Sequence, residues 1–167
     1  LIKTLVNDNS GLFFVGDVAD NEIQEYMITL QSLVCAKIFG MEYIILKLKD
    51  KIHIAKSVIN KLNEDFIDVS ENVSSGSLGI NDEGKIYMIE EDAQIKKDNI
   101  EFVRELLELA NELVVDEVII KENDIIISFL DEDEQDSLYW AKENNYTLIA
   151  DDLCLRKIHK YYTNKIF

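Results

Sequence analysis

Apolar residues recur at spacings of three and four in two stretches of the chain, and this period predicts two amphipathic helices. The first runs from Leu30 to Phe39 and is followed by Gly40, a typical residue for ending a helix. A longer helix is predicted from Asp98 and Glu101, which have the spacing of a capping box at a helix start. Its apolar stripe consists of Ile100, Val103, Leu106, Leu107, Ala110 and Leu113.

Short runs of β-branched and aromatic residues lie between the helical stretches and predict strands. They are LFFV (12–15), YMIT (26–29), KIHIA (51–55), VVDEVII (114–120), IIISFL (125–130) and TLIA (147–150). A β-hairpin is predicted within residues 74–90, with its turn at Asp82, Glu83 and Gly84. Because strands and helices alternate over most of the chain, the sequence predicts an α/β domain whose mostly parallel sheet is covered on both faces.

Charge is unevenly distributed along this 167-residue chain, which has a net charge of −16. Five carboxylates crowd into DEDEQD (131–136), whereas the last fifteen residues contain four Lys or Arg and no acid. The overall charge argues against broad binding to a phosphate backbone, which requires cations to displace counterions. Any RNA contact is therefore expected at the basic residues Arg156, Lys157 and Lys160.

Two cysteines, Cys35 and Cys154, lie in apolar, helix-like stretches, and no Cys or His near them has the spacing of a zinc site. Two free, buried thiols favour a reducing compartment, so we expect the protein to be cytoplasmic. No apolar run approaches the roughly 20 residues that a membrane helix needs. The chain starts at Leu1, and we expect it to be part of a longer protein.

Two groups of carboxylates are predicted to meet at one edge of the sheet. Asp151 and Asp152 end the TLIA strand, and Asp133 and Asp136 lie in the first turns of the preceding helix. Parallel sheets bind ligands at the carboxyl ends of their strands, and clustered carboxylates hold Mg²⁺ or Mn²⁺. A metal held there would activate water for attack on a phosphodiester. The alternatives are helix-dipole complementation, a solvated acidic face and ordinary turn chemistry.

The stretch DSLYWAKENNYTLIADDLCLR (136–156) resembles the C-terminal half of a PIN domain. MITLQSLVCAKIFGM (27–41) and KIHIAKSVINKL (51–62) resemble the first two strand–helix units of that family more weakly, so the resemblance covers about residues 26–160. It implies a three-layer α/β/α fold with a mostly parallel central sheet. It also implies relation to endoribonucleases that hold Mg²⁺ or Mn²⁺ with three or four acids.

Carried over residue by residue, the resemblance implies that Asp136 is the third acid of the family's site. The fourth acid would be Asp152, with Asp151 as the alternative. Asp136 and Asp152 would then be the catalytic residues and metal ligands, assisted by Asp133 and Asp151.

The chain departs from the family pattern at the first two acids. Thr29 stands at the first position, where it cannot supply an anionic ligand, and Lys61 stands at the second, where it brings a positive charge. The Lys61 ammonium is expected to take roughly the place of a metal ion and to pair with Asp136 or Asp152. Candidates to replace the missing acids are Asp17 and Glu64.

These substitutions predict a PIN-like domain with weak or lost nuclease activity. The alternative is a non-catalytic module of a larger bacterial-type protein. Its partner would be RNA or another protein, and a second copy of the chain is also left open. We expect residues 1–25 to be a lead-in segment and residues 26–167 to form the domain. Residues 70–92 would be a hairpin insertion and the part of the domain that contacts a partner.

Overall fold

Strands and helices alternate along the computed structural model of the chain, which describes residues 24–71, 76–90, 93–119 and 129–163. The strands are β1 Tyr26–Ile28, β2 Ile52–Ala55, β3 Gly76–Ile80, β4 Ile86–Glu90, β5 Val114–Asp116 and β6 Thr147–Ile149. The helices are α1 Leu30–Ile38, α2 Glu42–Lys47, α3 Lys56–Glu71, α4 Ala93–Asn111, α5 Glu132–Glu143 and α6 Leu153–Thr163. A short 3₁₀ turn at Lys49–Lys51 leads into β2.

Four parallel strands form the central sheet in the order β5-β2-β1-β6. Tyr26 pairs with Ile52 on one side of β1 and with Thr147 on the other. Because the strands are parallel, helices must return the chain from the end of one strand to the start of the next. All four carboxyl ends therefore lie at one edge of the sheet, which is the edge where the sequence predicts a site.

Two apolar clusters cover the two faces of this sheet, as the alternation of side chains along β1 requires. Met27 packs into a cluster built with α5 and α6, whose buried members include Leu138 and Leu155. Its neighbour Ile28 packs into the opposite cluster, which is built with α1, α3 and α4. The helices thus lie on both faces, and the predicted three-layer α/β/α fold is confirmed.

The predicted hairpin is also present, as the separate two-stranded antiparallel sheet β3-β4. Its turn contains Gly84 with a φ of +77°, a conformation that glycine adopts without strain. Asn81 Oδ1 accepts hydrogen bonds from the backbone N–H groups of Glu83 and Lys85, which closes the turn. The proposed boundaries of the insertion and of the lead-in segment stay predictions.

One predicted helix start is wrong by a few residues. Helix α4 begins at Ala93 rather than Asp98, because the preceding residues are good helix formers and extend the helix upstream. Helix α5 begins at Glu132, and Asp133 and Asp136 lie in its first two turns, as the sequence predicts. Helix α6 begins at Leu153, and the Asp152 side chain accepts hydrogen bonds from the backbone of its first turn.

Some expectations fall outside the described residues. These are the strand at 12–15, the acid Asp17 and the greater part of the strand at 125–130. Cys35 and Cys154 are free as expected, but Cys154 is exposed rather than buried, because it faces outward on the first turn of α6. Among the helices that can be described, none is long and apolar enough to cross a membrane.

Candidate functional site

The carboxyl edge of the sheet collects polar side chains from the ends of three neighbouring strands. Thr29 directly follows β1, Ser57 lies in the first turn of α3 just after β2, and Asp151 follows β6. Helix α5 packs against β1, β2 and α3, which brings its acidic first two turns to the same edge. The segments that follow or cover this edge thus contain the four positions that the sequence assigned to the site. These positions are Thr29, Lys61, Asp136 and Asp152.

Thr29 is used to start helix α1 and to attach the end of β6 to it. Its Oγ1 accepts from the Ser32 backbone N–H at 3.3 Å and donates to Ser32 Oγ at 3.1 Å. Ser32 Oγ in turn accepts from the Asp151 backbone N–H at 2.9 Å. Both hydroxyl residues are buried, so this chain of hydrogen bonds is shielded from water. Thr29 therefore has a structural role where the family pattern has a carboxylate.

The Asp151 carboxylate faces the same helix. The Cys35 thiol donates to Asp151 Oδ2 at 3.5 Å, and burial, with the adjacent negative charge of Asp151, raises the pKa of Cys35. Asp151 Oδ1 is buried and has no hydrogen-bond partner among the described residues. One oxygen of this carboxylate is therefore uncommitted.

Lys61 forms the ion pair that joins α3 to the start of α5. Its Nζ lies 2.8 Å from Asp133 Oδ1 and 3.3 Å from Asp131 Oδ2. The Asp133 side chain is only 6% exposed, whereas that of Lys61 is 39% exposed. The hydrogen bond that Lys61 donates to Asp133 is the main cause of the raised pKa of Lys61. The expectation that Lys61 pairs with Asp136 or Asp152 is wrong, because Asp133 is the carboxylate that the first turn of α5 directs towards α3.

Asp136 lies one turn further along α5, buried against the start of α3. Burial raises its pKa, and the negative charges of Glu132 and Asp133 raise it further, while the nearby Ser57 hydroxyl opposes the rise. The Ser57 hydroxyl is buried, and within the described parts of the chain it makes no hydrogen bond of ordinary geometry. Asp136 and Ser57 therefore form a buried polar pair between α5 and the start of α3.

Asp152 instead serves as the cap of α6. Its Oδ1 accepts from the backbone N–H groups of Cys154 and Leu155, at 2.5 and 2.9 Å. The Arg156 guanidinium lies over the same turn and donates to the Asp151 carbonyl oxygen at 3.3 Å. Lys157 and Lys160, the other two predicted RNA contacts, have exposed side chains.

A family model described as a PIN domain associated with the TPR-GreAB-C-PIN system matches residues 29–161. The chain belongs to this PIN family. The match confirms the resemblance seen in the sequence and covers nearly the same residues. No curated protein and no solved structure matches the chain.

The acids of this PIN domain do not fit a metal ion in their present arrangement. Asp133 already pairs with an ammonium, and Asp152 uses its Oδ1 on two backbone amides. Asp151 Oδ1 is buried without a hydrogen bond among the described residues, and Asp136 lies next to the Ser57 hydroxyl. Within the described residues, no group of three or more His, Cys, Asp or Glu side chains is placed to hold a metal. A cation would have to displace Lys61 before it could reach more than these two carboxylates.

Four further residues take part in the site of this PIN domain without having been assigned to it from sequence. Ser32 bridges Thr29 to Asp151, and Asp131 pairs with Lys61 alongside Asp133. The other two are Cys35, which donates to Asp151, and Ser57, which lies next to Asp136. The three-residue step from Thr29 to Ser32 is typical of a capped helix start and could have identified Ser32. The contacts of Cys35 and Ser57 join residues distant in sequence, and no local pattern indicates them.

Proposed function

We propose that this PIN domain has weak or lost metal-dependent cleavage of RNA and acts as a binding module within a larger protein system. The observation that carries the proposal is the Lys61 ion pair, with Nζ 2.8 Å from the buried Asp133. Metal-assisted attack on a phosphodiester depends on cations placed by several carboxylates. Here the Asp133 carboxylate, which faces α3, is paired with the Lys61 ammonium. An ammonium cannot carry a coordinated water.

The second substitution supports the same conclusion. Thr29 offers a neutral hydroxyl, and that hydroxyl is already bonded to Ser32 inside the buried cap of α1. Hard cations such as Mg²⁺ and Mn²⁺ select for charged oxygen ligands. With Thr29 and Lys61 at two of the four positions, the retained acids Asp136 and Asp152 would bind such a cation weakly.

The binding role is supported by the description of the family, which associates the PIN domain with the TPR-GreAB-C-PIN system. The β3-β4 hairpin lies outside the central sheet, and its cross-strand pair Ile80 and Ile86 is 71% and 73% exposed. Exposed apolar pairs on a free strand edge favour contact with a protein. We therefore place a protein partner at the hairpin, and any RNA at Lys157 and Lys160.

Metal binding and cleavage together test the proposal. Mn²⁺ binding would be measured by calorimetry on the wild type, Lys61→Glu and the control Lys56→Glu, which reverses an exposed charge on the same helix. Lys61→Glu should bind Mn²⁺ at least about tenfold more tightly than the wild type, because it removes a competing cation and adds a ligand. Lys56→Glu should match the wild type. Thermal unfolding with and without Mn²⁺ would show that each variant folds.

Cleavage of a mixed RNA pool in Mn²⁺ is the decisive assay. The wild type should cleave no faster than Asp136→Asn or Asp152→Asn, both of which keep the shape of the side chain. Robust cleavage by the wild type that both variants lose would refute the proposal and establish a nuclease.

RNA binding itself is expected to be weak and sensitive to salt. Replacing Arg156, Lys157 and Lys160 by Gln should remove most of it, and each lost phosphate contact should lower the salt slope by about one unit. Unchanged binding by the triple variant would place the RNA contact elsewhere.

A further inference from the structure

One ring nitrogen of His53 in β2 is buried and uncommitted. The side chain is 9% exposed, and its Nε2 makes no hydrogen bond with the described residues. The other nitrogen, Nδ1, lies 2.8 Å from Asp116 Oδ2 at the end of β5. Buried polar atoms in native folds almost always have a partner, so one that has none calls for an explanation. A ligand at Nε2 of His53 would supply it.

The contact with Asp116 determines which nitrogen is open to a ligand. A carboxylate only accepts hydrogen bonds, so Nδ1 of His53 carries the proton that it donates to Asp116. In the neutral ring, Nε2 then holds a lone pair. The ring also stacks on Tyr146, with centroids 4.3 Å apart and planes inclined by 28°. Asp116 and Tyr146 therefore hold the ring in one orientation, with the lone pair of Nε2 as a fixed acceptor.

A second carboxylate lies on the Nε2 side of the ring. Glu25 directly precedes β1, and its Oε2 lies 3.6 Å from His53 Nε2. This separation exceeds the roughly 2.7–3.2 Å of an N–H···O hydrogen bond. Two ligands that are each about 2.0–2.1 Å from a tetrahedral zinc ion lie about 3.3–3.4 Å apart. The distance between Nε2 and Oε2 is therefore closer to that of two ligands sharing one cation than to that of a hydrogen bond.

The charges around the ring also favour a cation. Glu25 and Asp116 face its two nitrogens, and among the described residues neither forms an ion pair with a Lys or Arg. The basic residues just before β2 do not compensate them, because Lys49 is paired with another acid at 2.7 Å and Lys51 has an exposed side chain. Glu117, next to Asp116, adds a further exposed negative charge. A divalent cation at Nε2 would thus enter a negative field.

We propose that His53 Nε2 and the Glu25 carboxylate bind a zinc ion, with water completing its coordination. Imidazole nitrogen and carboxylate oxygen are both zinc ligands. Metal-binding histidines commonly donate their other N–H to a carboxylate, and Asp116 accepts the Nδ1 proton in this way. Because Asp116 lies on the far nitrogen, it is not itself a ligand. The site therefore has two protein ligands, which agrees with the finding that the described residues contain no metal-binding group of three.

This zinc site is separate from the carboxyl edge of the sheet. Glu25 precedes β1, and His53 lies in β2 among residues that pair near the start of both strands. The Glu25 side chain is 39% exposed, so a cation can reach its carboxylate from solvent. A bound ion would join β1 to β2 and would stabilise the folded state by mass action. It would do so without involving Lys61 or Asp133.

Nitrogen NMR of the imidazole rings tests the proposal on the full chain. The sequence contains two histidines, so the ring signals of isotope-labelled protein come from His53 and His159 only. His159 lies in α6, is 1% exposed and serves as the internal control. Adding an equimolar amount of Zn²⁺ to metal-free protein should shift the Nε2 signal of His53 and leave the signals of His159 in place. Excess Mg²⁺ in the buffer would occupy the weak oxygen sites of this acidic chain.

Matched substitutions identify the second ligand by calorimetric titration with Zn²⁺. Glu25→Gln keeps the size of the side chain and removes its charge. It should weaken zinc binding at least about tenfold, since even changes outside the ligand set cost about 10–100-fold. Glu117→Gln removes an exposed carboxylate next to Asp116, and Asp136→Asn removes one at the carboxyl edge. Both controls should bind zinc as the wild type does. Circular dichroism without zinc would show that each variant folds.

Several outcomes would overturn the proposal. One is a His53 Nε2 signal that does not move with Zn²⁺, and another is a shift of the His159 signals by the same amount, which would mean that zinc has no preferred site. Equal zinc affinity of the wild type and Glu25→Gln would remove Glu25 from the site. Loss of binding in Glu117→Gln or Asp136→Asn would place the zinc at another carboxylate.

Discussion

The two edges of the sheet both carry buried polar side chains, but they use them in opposite ways. At the edge where the strands begin, His53 is the central residue. Its Nδ1 lies 2.8 Å from Asp116 Oδ2, and its ring stacks on Tyr146 with centroids 4.3 Å apart. Its Nε2 lies 3.6 Å from Glu25 Oε2 and makes no hydrogen bond with the described residues. These contacts connect His53 in β2 to residues in or directly beside the other three strands.

The carboxyl edge is the less satisfied of the two. The Ser57 hydroxyl, which lies next to Asp136, and one oxygen of Asp151 are both buried without a hydrogen bond of ordinary geometry within the described residues. Unsatisfied buried polar groups cost stability, typically about 1–3 kcal/mol each. Folds tolerate such costs mainly where a site once required the groups or still requires them. The comparison therefore separates a polar cluster that holds the sheet together from one that contains unsatisfied buried groups.

The largest effect is expected at the amino edge. His53→Ala should lower the free energy of unfolding by about 2–4 kcal/mol, since it removes a buried ring, its stacking contact and the partner of Asp116. Urea unfolding monitored by circular dichroism would measure the loss. Asp116→Asn should cost less, about 1–2 kcal/mol, and the neighbouring exposed Glu117→Gln should change little. If His53→Ala were as stable as the wild type, the contacts of His53 would not stabilise this edge of the sheet.

Next in size is the ion pair of the carboxyl edge. Lys61→Met should lower the free energy of unfolding by about 1–3 kcal/mol, because it leaves the buried Asp133 carboxylate without its cation. The value lies below that for a fully buried pair, since Lys61 itself is 39% exposed and screened by water. Lys49→Met is the matched control, because its partner Glu112 is exposed and loses little. Equal unfolding curves for the two variants would show that Asp133 does not depend on Lys61.

The sequence predicted the fold more fully than the contacts of the site. Periodicity and alternation gave the three layers, the hairpin and the helix stop at Gly40, because these depend on local patterns. The PIN resemblance was carried by one stretch, 136–156, and the family match confirms it. Strand order also put the acids and Thr29 at one edge, since parallel strands share a carboxyl end.

Side-chain pairing at that edge could not be derived in the same way. Whether Lys61 meets Asp133 or Asp136 depends on where α5 begins, and a shift of three residues moves a side chain by nearly one helical turn. The acidic run 131–136 offers several starts, and the structure places the first turn at Glu132. The contact between Cys35 and Asp151 depends on how α1 packs beside β6, which no pattern within either segment specifies.

A smaller effect distinguishes the two aspartates that follow β6. Asp152→Ala should lower the free energy of unfolding by about 1 kcal/mol, because it removes the cap that accepts from the first turn of α6. Asp152→Asn should stay close to the wild type, since an Asn side chain also caps helices. Thermal unfolding of both variants provides the measurement. If Asp152→Asn were as damaging as Asp152→Ala, the charge of Asp152 would matter more than its cap.

The smallest effect, and the one with the opposite sign, is expected at Asp136. Burial raises the pKa of this carboxyl above its ordinary value of 3.8, so the folded protein holds the proton more tightly than the unfolded chain. The stability that this proton contributes is fully present below pH 3.8 and is lost as the pH rises through the raised folded-state pKa.

Asp136→Asn cannot ionise and avoids this loss. The variant should therefore gain stability relative to the wild type as the pH rises from 4 to 7, when unfolding by urea is measured across that range. Asp116→Asn, which weakens the contact between the end of β5 and His53, should be less stable than the wild type at pH 7. If Asp136→Asn were also less stable there, the Asp136 carboxylate would have a stabilising partner, and the two edges would no longer differ in the way described.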